Sequence, residues 1–312
     1  MTTIIRSAIG SLSSFSFINF LKDKKITVIG TDIIEQSYCS KIVDEYYIVP
    51  KATDEKVIEA YIEICKTTKA KWILSGPENE IEKLLEKEEE FKKIGVNIFH
   101  PPLKTIEIIT NKWNLYETLK IRFKMPKTEK IKCAIFENNK CVFKPIKGRG
   151  SAGVFFSKNE SDFKDLQEKY YDQDYIVQQF ISGKEYSVDT LFDMDSNCLN
   201  IVPRERLLVD SGISISSKIV NNKKLISIIK KLANVLKFRG GICFQFIEEN
   251  EQFYLTDINP RFGGGSILSL NASKSFQNNL IDILNMREIH NKSENHDYKE
   301  ISMFRTYLER YE

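Results

Sequence analysis

Near the middle of the chain, Lys144-Pro145-Ile146-Lys147-Gly148-Arg149-Gly150-Ser151-Ala152-Gly153 forms a basic, glycine-rich turn between two segments of β-type sequence. Lys140-Cys141-Val142-Phe143-Lys144 leads in and Val154-Phe155-Phe156-Ser157 leads out. Both are rich in the branched and aromatic residues that favour strands. Gly148-x-Gly150-x-x-Gly153 has the dinucleotide spacing, but that fingerprint requires a helix after the glycines. A strand, glycine loop and second strand instead make a hairpin whose backbone N–H groups can fold over phosphates, as in protein kinases. An ordinary surface hairpin shares the same local pattern. The sequence lacks G-x-x-x-x-G-K-[ST], which argues against a P-loop.

A second polar cluster, Asp257-Ile258-Asn259-Pro260-Arg261, ends another apolar run. Strand alternation puts Asp257 and Asn259 on one face, roughly 6.5–7 Å apart, with Ile258 on the other. Gln245, between Cys243 and Ile247 in the preceding β segment, can face the same cleft. Carboxylate and amide oxygens suit Mg²⁺ and leave coordination positions for phosphate oxygens and water. Arg261 follows at once, placed to neutralise a phosphoryl group. A strand-end turn would carry a similar Asn-Pro signature.

The remaining sequence bounds these readings. A length of 312 residues suggests two domains, or one plus a lid. With 46 basic and 43 acidic residues the net charge is +3, too balanced to indicate nucleic acid or an anionic membrane as partner. The six cysteines form no C-x-x-C pair, which suggests reduced thiols in a cytoplasmic protein and neither zinc nor a disulfide framework. His100, His290 and His296 are the only histidines, and none neighbours either polar cluster in sequence. Residues 4–20 are fairly apolar but interrupted by Arg6, Gly10 and several serines. The stretch is too short and too polar for a membrane span, and reads as a strand over Thr2 to Ile9, a turn at Gly10 and a helix over Leu12 to Leu21.

Strands at residues 25–32, 46–50, 72–76 and 96–99 alternate with helices at 54–66 and 80–93, which implies a small, mostly parallel α/β domain. A helix over 105–120 follows, and Met125-Pro126-Lys127 reads as a hinge. Further on come a helix near 161–170, strands at 175–180 and 186–192, a loop near 211–218, a helix over 223–238 and a hairpin over 241–258. Residues 301–307 could add a final element.

Four motifs in this order, Asn111-Lys112, Lys144-Pro145 with its glycine loop, Gln178-Gln179-Phe180-Ile181-x-Gly183-x-Glu185, and Asp257-x-Asn259-Pro260-Arg261, resemble those of the ATP-grasp superfamily. The similarity is closest to carbamoyl-phosphate-synthase-like carboxylate–amine ligases and covers nearly the whole chain. It implies an α/β fold with a Rossmann-like pre-ATP-grasp domain over 1–104 and an ATP-grasp domain over 105–312, with a mobile lid at about 124–182. Residue by residue, it implies that Lys112 and Lys144 contact nucleotide phosphates, covered by Gly148, Gly150 and Ser151. It implies that the backbone of Gln178, Gln179, Phe180 and Ile181 meets adenine and that Glu185 accepts from ribose hydroxyls. Gln245, Asp257 and Asn259 would hold two Mg²⁺ or Mn²⁺ ions. Arg261 would bind phosphate, and Arg204, in Val202-Pro203-Arg204-Glu205-Arg206, would serve the acyl-acceptor pocket. The family usually has glutamate where Asp257 stands. Aspartate is one methylene shorter, which puts a carboxylate bridge between two ions in question.

The implied activity uses Mg-ATP to activate a carboxylate as an acyl phosphate that an amine then attacks. Small-molecule substrates and a homodimer are the implied partners. Three rivals remain at this point: phosphorylation of bicarbonate or carbamate, a non-catalytic ATP-binding regulator, and an NAD enzyme built on Gly30-Thr31-Asp32.

Overall fold

The computed structural model describes residues 1–137, 140–148, 150, 152–210, 212–289 and 297–306. Its N-terminal part is the expected β/α alternation. Strands β1 (Thr3–Ser7), β2 (Thr27–Asp32), β3 (Glu45–Ile48), β4 (Trp72–Leu74) and β5 (Asn97–Ile98) form a parallel sheet in the order β3-β2-β1-β4-β5. Helices α1 (Ser14–Asp23), α2 (Val57–Thr68), α3 (Glu78–Glu86) and α4 (Glu88–Lys93) connect these strands. Such a sheet needs cover on both faces, and its short strands are accordingly apolar, with Ile4, Ile5, Val28 and Ile73 wholly buried. The single helix expected over 80–93 is broken at Lys87, whose N–H returns to Leu84 O.

Two short helices, α5 (Leu103–Ile109) and α6 (Lys112–Leu119), replace the one expected over 105–120. Asn111 separates them, its side-chain oxygen accepting from Asn114 N at 2.9 Å. Such an N-cap satisfies a backbone donor that a continuous helix would pair internally.

The next unit is a four-stranded antiparallel sheet of β6 (Thr128–Lys130), β7 (Cys141–Pro145), β8 (Phe155–Ser157) and β9 (Tyr175–Gln179), ordered β6-β9-β7-β8. Helix α7 (Glu160–Tyr170) packs on it through Phe163 and Tyr170, against Phe143, Tyr175 and Val177. The glycine hairpin is present as expected, since β7 pairs antiparallel with β8 from Cys141↔Ser157 to Phe143↔Phe155.

The remaining strands make a six-stranded sheet in the order β14-β13-β10-β11-β12-β15. They are β10 (Lys184–Phe192), β11 (Cys198–Asp210), β12 (Ile213–Ile219), β13 (Gly240–Glu249), β14 (Gln252–Asn259) and β15 (Ser302–Phe304). Helix α8 (Lys223–Ala233) covers one face, burying Leu225, Ile226, Ile229 and Leu232 at helical spacing. Helices α9 (Ser266–Ala272) and α10 (Lys274–Leu284) pack elsewhere on the sheet. Of the loop expected near 211–218, Ser211 lies outside the described residues, and strand β12, paired with β11, begins at Ile213. A continuous apolar cluster runs from Ile5 and Ile73 of the first sheet to Phe244, Leu255 and Ile258 of the last, so the two sheets share a core.

Candidate functional site

Register fixes what the six-stranded sheet presents to its cleft. Ser187 of β10 lies opposite Gln245 of β13, which lies opposite Asp257 of β14. Two pairs along, Asp189 meets Cys243 and Cys243 meets Asn259. On the neighbouring strand Glu185 faces Arg206 and Ser187 faces Arg204. Because strand side chains alternate, Glu185, Asp189, Arg204, Arg206, Gln245, Asp257 and Asn259 share one face. Tyr186, Val188, Phe244 and Phe246 fill the core on the other.

Strict alternation would have put Asp257 on the buried face with Phe253 and Leu255. A bulge prevents this: Gln245 pairs with Asp257 but Phe246 pairs with Leu255, leaving Thr256 as an extra residue. Bulges re-aim side chains in this way. Thr256 Oγ1 donates to Gln245 O at 3.2 Å and holds the irregularity in place. Beyond it, Ile258 turns inward at 1 % exposure, while Asp257 and Asn259 flank it on the cleft side.

Lys144 reaches this face from β7. Its Nζ donates to Gln178 Oε1 at 2.7 Å, and Gln178 Nε2 donates to Thr128 Oγ1 at 3.0 Å. Enclosure pulls the Lys144 ammonium down to about 8, with the positive charge of Lys112 acting in the same direction and Asp257 and Glu185 opposing it. Three expected residues, each from a different sequence motif, therefore lie within electrostatic reach of Lys144, which belongs to a fourth. Lys112, at the start of α6, points its Nζ at Gly148 O, 3.0 Å away, and so touches the glycine loop itself. Gly150 and Gly153 take positive φ, +61° and +72°, which glycine adopts without steric cost. Ser151 and Arg149 lie outside the described residues.

Gln178 sits inside β9, its backbone between Thr128 and Val142, and its side chain positions Lys144. Gln179 N–H and Phe180 N–H are engaged by Lys127 O at 2.8 Å and Lys140 O at 3.1 Å. Ile181 is buried and Glu185 is half-exposed, ion-paired to Arg206 at 2.9 Å. Between them, Gly183 passes so near β13 that a Cβ there would fall 1.8 Å from Glu248 O.

Arg204 lies beneath the cleft floor, 2 % exposed. Its Nε donates to Asp189 at 2.8 Å and its Nη1 to Ser214 Oγ at 3.1 Å. Asp189, wholly buried, also accepts from Ser266 and Ser269 of α9, each at 2.7 Å. Gly263 and Gly265 lie directly against the guanidinium. In this geometry Arg204 braces the segment that follows Arg261. Asp189 escaped the sequence reading, although a carboxylate within the apolar run 186–192 signals a buried cationic partner.

Arg261 borders the N-terminal unit, in a small cavity shared with Arg6, Ser75, His100 and Phe262. His100 accepts from Ser75 N through Nε2 at 2.8 Å, so its Nδ1–H donates to Pro260 O, also at 2.8 Å. Burial pushes this imidazole down to about 3, keeping it neutral.

The donors on the cleft face suit a hard cation that is also bound by phosphate. Asp257 supplies a carboxylate, while Gln245 and Asn259 supply amide oxygens. Among the described residues no trio of His, Cys, Asp and Glu gathers into an all-protein metal cage. Mg²⁺ typically uses one or two carboxylates together with substrate phosphates. The NAD reading is disfavoured: Asp32 accepts from Gly10 N at 2.7 Å, Ile33 N at 2.8 Å and Ser37 Oγ at 3.1 Å, so both its oxygens serve its own loop. Among the described residues no helix is long and apolar enough to cross a membrane.

Comparison with known proteins agrees with this geometry. The ATP-grasp domain profile matches residues 109–265, and the PylC-like N-terminal domain profile matches residues 14–99. An uncharacterized protein of Methanocaldococcus jannaschii is 25% identical over 197 residues, 60% of this chain and 49% of its own length. The carbamoyl phosphate synthase large chain of Lachnoclostridium phytofermentans is 29% identical over 124 residues, 36% of this chain and 12% of its own. The chain thus spans about half of the first relative and a small part of the second. In fold, it is similar to N5-carboxyaminoimidazole synthetase from Staphylococcus aureus complexed with ADP, with a TM-score of 0.75 and 18% identity over 93% of this chain and 79% of that one. The chain belongs to the ATP-grasp family.

Proposed function

We propose that this chain is an ATP-dependent carboxylate–amine ligase that releases ADP and phosphate. The observation that carries the reading is that Lys144, from the glycine-hairpin sheet and tied there to Gln178 at 2.7 Å, lies within electrostatic reach of Asp257, from the six-stranded sheet. A nucleotide polyphosphate with its cation bridges such a pair. The family's ADP-bound structural relative is consistent with that site.

Lys144 and Lys112 would hold the phosphates as point charges, with the glycine hairpin covering them and excluding water. Glu185 would accept from the ribose, and the segment 178–181 would border the base. Asp257, Gln245 and Asn259 would hold Mg²⁺ or Mn²⁺, which supplies charge neutralisation at the transferring phosphate. Arg261 would stabilise negative charge on the moving phosphoryl group. The acid's oxygen takes the γ-phosphoryl as the bond to ADP breaks. The amine nitrogen then attacks the acyl carbon, phosphate leaves, and the nitrogen gives up a proton. Positioning and electrostatics suffice for such transfers.

The test is ADP formation from Mg-ATP across a library of carboxylic acids with hydroxylamine present. A hydroxamate formed in step with ADP would support the ligase reading and identify the acid. ADP release that needs only bicarbonate would favour carbamoyl-phosphate-synthase-like chemistry. Tight Mg-ATP binding without turnover on any acid, bicarbonate included, would favour a regulator.

A further inference from the structure

We propose that Arg305, just beyond β15, is a positioning residue that fixes the glycine run 263–265 and, through it, the guanidinium of Arg261. The brace itself stands on the geometry. Its effect on phosphate binding rests on the nucleotide site of the ligase reading.

The run between β14 and α9 has little of its own to hold it. Gly263, Gly264 and Gly265 carry no side chains, and glycine loses more conformational freedom than any other residue on being fixed. The carbonyls of such a run need donors, and each has a different one. Pro260 O accepts from the His100 ring at 2.8 Å, and Phe262 O from Arg261 Nη1 at 3.2 Å. Gly263 O accepts from Ser266 N, and Gly265 O from Leu268 N, each at 3.0 Å. Gly264 O, at the centre, accepts from Arg305 Nη2 at 2.7 Å. Local backbone therefore satisfies the two flanking glycines, whereas a distant side chain satisfies the middle one. Packing closes the rest: Gly263 and Gly265 lie against Arg204, and a Cβ on Gly264 would come within 3.3 Å of Ile213.

Arg305 is itself held in place. β15 pairs with β12 from Lys218↔Ser302 to Ser216↔Phe304, and Arg305 N donates to Ile215 O at 2.8 Å. Upstream, Asp297 accepts from Ser273 Oγ at 2.7 Å and Ser275 Oγ at 2.6 Å, and Lys299 N donates to Ala272 O at 2.9 Å. The segment 297–306 is thus tied first to the junction of α9 and α10, then to the sheet edge, and it returns a cation to the loop. A charge-assisted bond from a planar guanidinium fixes direction as well as distance. The ATP-grasp profile matches residues 109–265, so this brace comes from outside the matched domain.

The consequence falls on Arg261. Its Nη1 is bonded to the carbonyl of the next residue in its own loop, so its guanidinium moves with the run that follows. A misplacement of about 1 Å in a group that meets the reacting atoms can cost on the order of 100-fold. Arg305 acts through the loop and touches no nucleotide in this reading. Its loss should be felt at the terminal phosphate, which Arg261 would meet, and not at the adenosine end held by Glu185 and the segment 178–181.

Calorimetry on the whole chain measures the affinity of wild type, Arg305→Met, Arg305→Lys and Arg287→Met for Mg-ADP and for the Mg complex of a β,γ-imido ATP analogue. Urea unfolding is measured on each. The wild type should prefer the analogue. Arg305→Met should lose about tenfold of that preference, as for one charge-assisted hydrogen bond, with Mg-ADP affinity unchanged. Arg305→Lys, which can still donate to Gly264 O, should retain more of it, and exposed Arg287→Met should retain all of it. If Arg305→Met does not fold, Arg305→Gln is read in the same way. A preference kept in Arg305→Met, or lost equally in Arg305→Lys, overturns the proposal. So does equal weakening of both nucleotides with lower stability, which marks a merely structural bond, and so does a wild type that binds both alike. A wild type that binds neither nucleotide overturns the nucleotide site and the proposal together. The expected ratios without hydroxamate from any acid leave the brace standing and remove the ligase reading.

Discussion

The Nδ1–H of His100, just after β5, donates to the carbonyl of Pro260, just after β14, at 2.8 Å. The bond ties the N-terminal unit to the strand end that carries Asn259 and Arg261, and it requires a neutral ring because Nε2 accepts from Ser75 N. The folded imidazole is held down at about 3 by burial, whereas an unfolded one titrates near 6.5. Between these values the unfolded chain binds more protons, so stability falls as pH falls from about 6.5 toward 3. Urea unfolding should show a steeper loss in the wild type than in His100→Gln over this window, by at most about 1.4 kcal/mol per pH unit. Equal slopes would mean that His100 is not held neutral.

Arg204 and Asp189 form the most enclosed ion pair described, 2 % and 0 % exposed. Removing one partner of such a pair leaves a buried charge uncompensated, which costs about 3–5 kcal/mol. Asp189→Asn should therefore destabilise strongly. Glu185→Gln, which breaks the half-exposed pair with Arg206, should cost about 1 kcal/mol or less. Chemical unfolding of both variants checks the contrast, and similar losses would refute the bracing role given to Arg204.

These two pairs show where the sequence was readable and where it was not. The β/α alternation of the first hundred residues and the hairpin around Gly148 and Gly150 are local patterns, and both are present in the fold. Asp257 and Asn259 share a face as alternation implied, but that face is the cleft rather than the core only because a bulge at Thr256 resets the strand. Strand β12 was missed because its buried residues include Ser214, Ser216 and Ser217, and Ser214 and Ser217 face Arg204. A strand whose inward face is polar lacks the apolar alternation that marks strands. The helix breaks at Lys87 and Asn111 fall within runs of acceptable helical propensity; at Asn111 a side-chain cap decides, whereas Lys87 makes no side-chain cap. The pairing of Asp189 with Arg204 and the meeting of Arg6 with Arg261 depend on tertiary approach, which spacing along one strand does not encode.

Gly183 connects the hairpin sheet to β10 where the backbone crosses β13. A Cβ there would meet Glu248 O at 1.8 Å and its carbonyl carbon at 2.7 Å. Both are backbone atoms inside a paired strand, so neither can rotate aside. Gly183→Ala should cost about 2–4 kcal/mol by overpacking and, by moving Glu185, weaken Mg-ADP binding. Calorimetric titration together with urea unfolding tests this, and an unchanged variant would show that the crossing is looser than described.

Lys144 gives the proposed nucleotide site a pH signature. Its ammonium, drawn down to about 8 by enclosure and by Lys112, loses its proton above that pH in the free protein. Phosphates bound beside it favour the charged form, so binding above pH 8 must be accompanied by proton uptake. The phosphates themselves are already ionised above about pH 7. Mg-ADP affinity should therefore be flat from pH 7 to 8 and then fall, approaching about tenfold per pH unit. In Lys144→Arg the guanidinium keeps its charge throughout this range, so affinity should be weaker but independent of pH. Calorimetry at pH 7 to 9.5 in buffers of different ionisation enthalpy measures both affinity and proton uptake. A wild-type profile that stays flat to pH 9.5, with no proton uptake, would separate Lys144 from the phosphates and remove the main support for the nucleotide assignment.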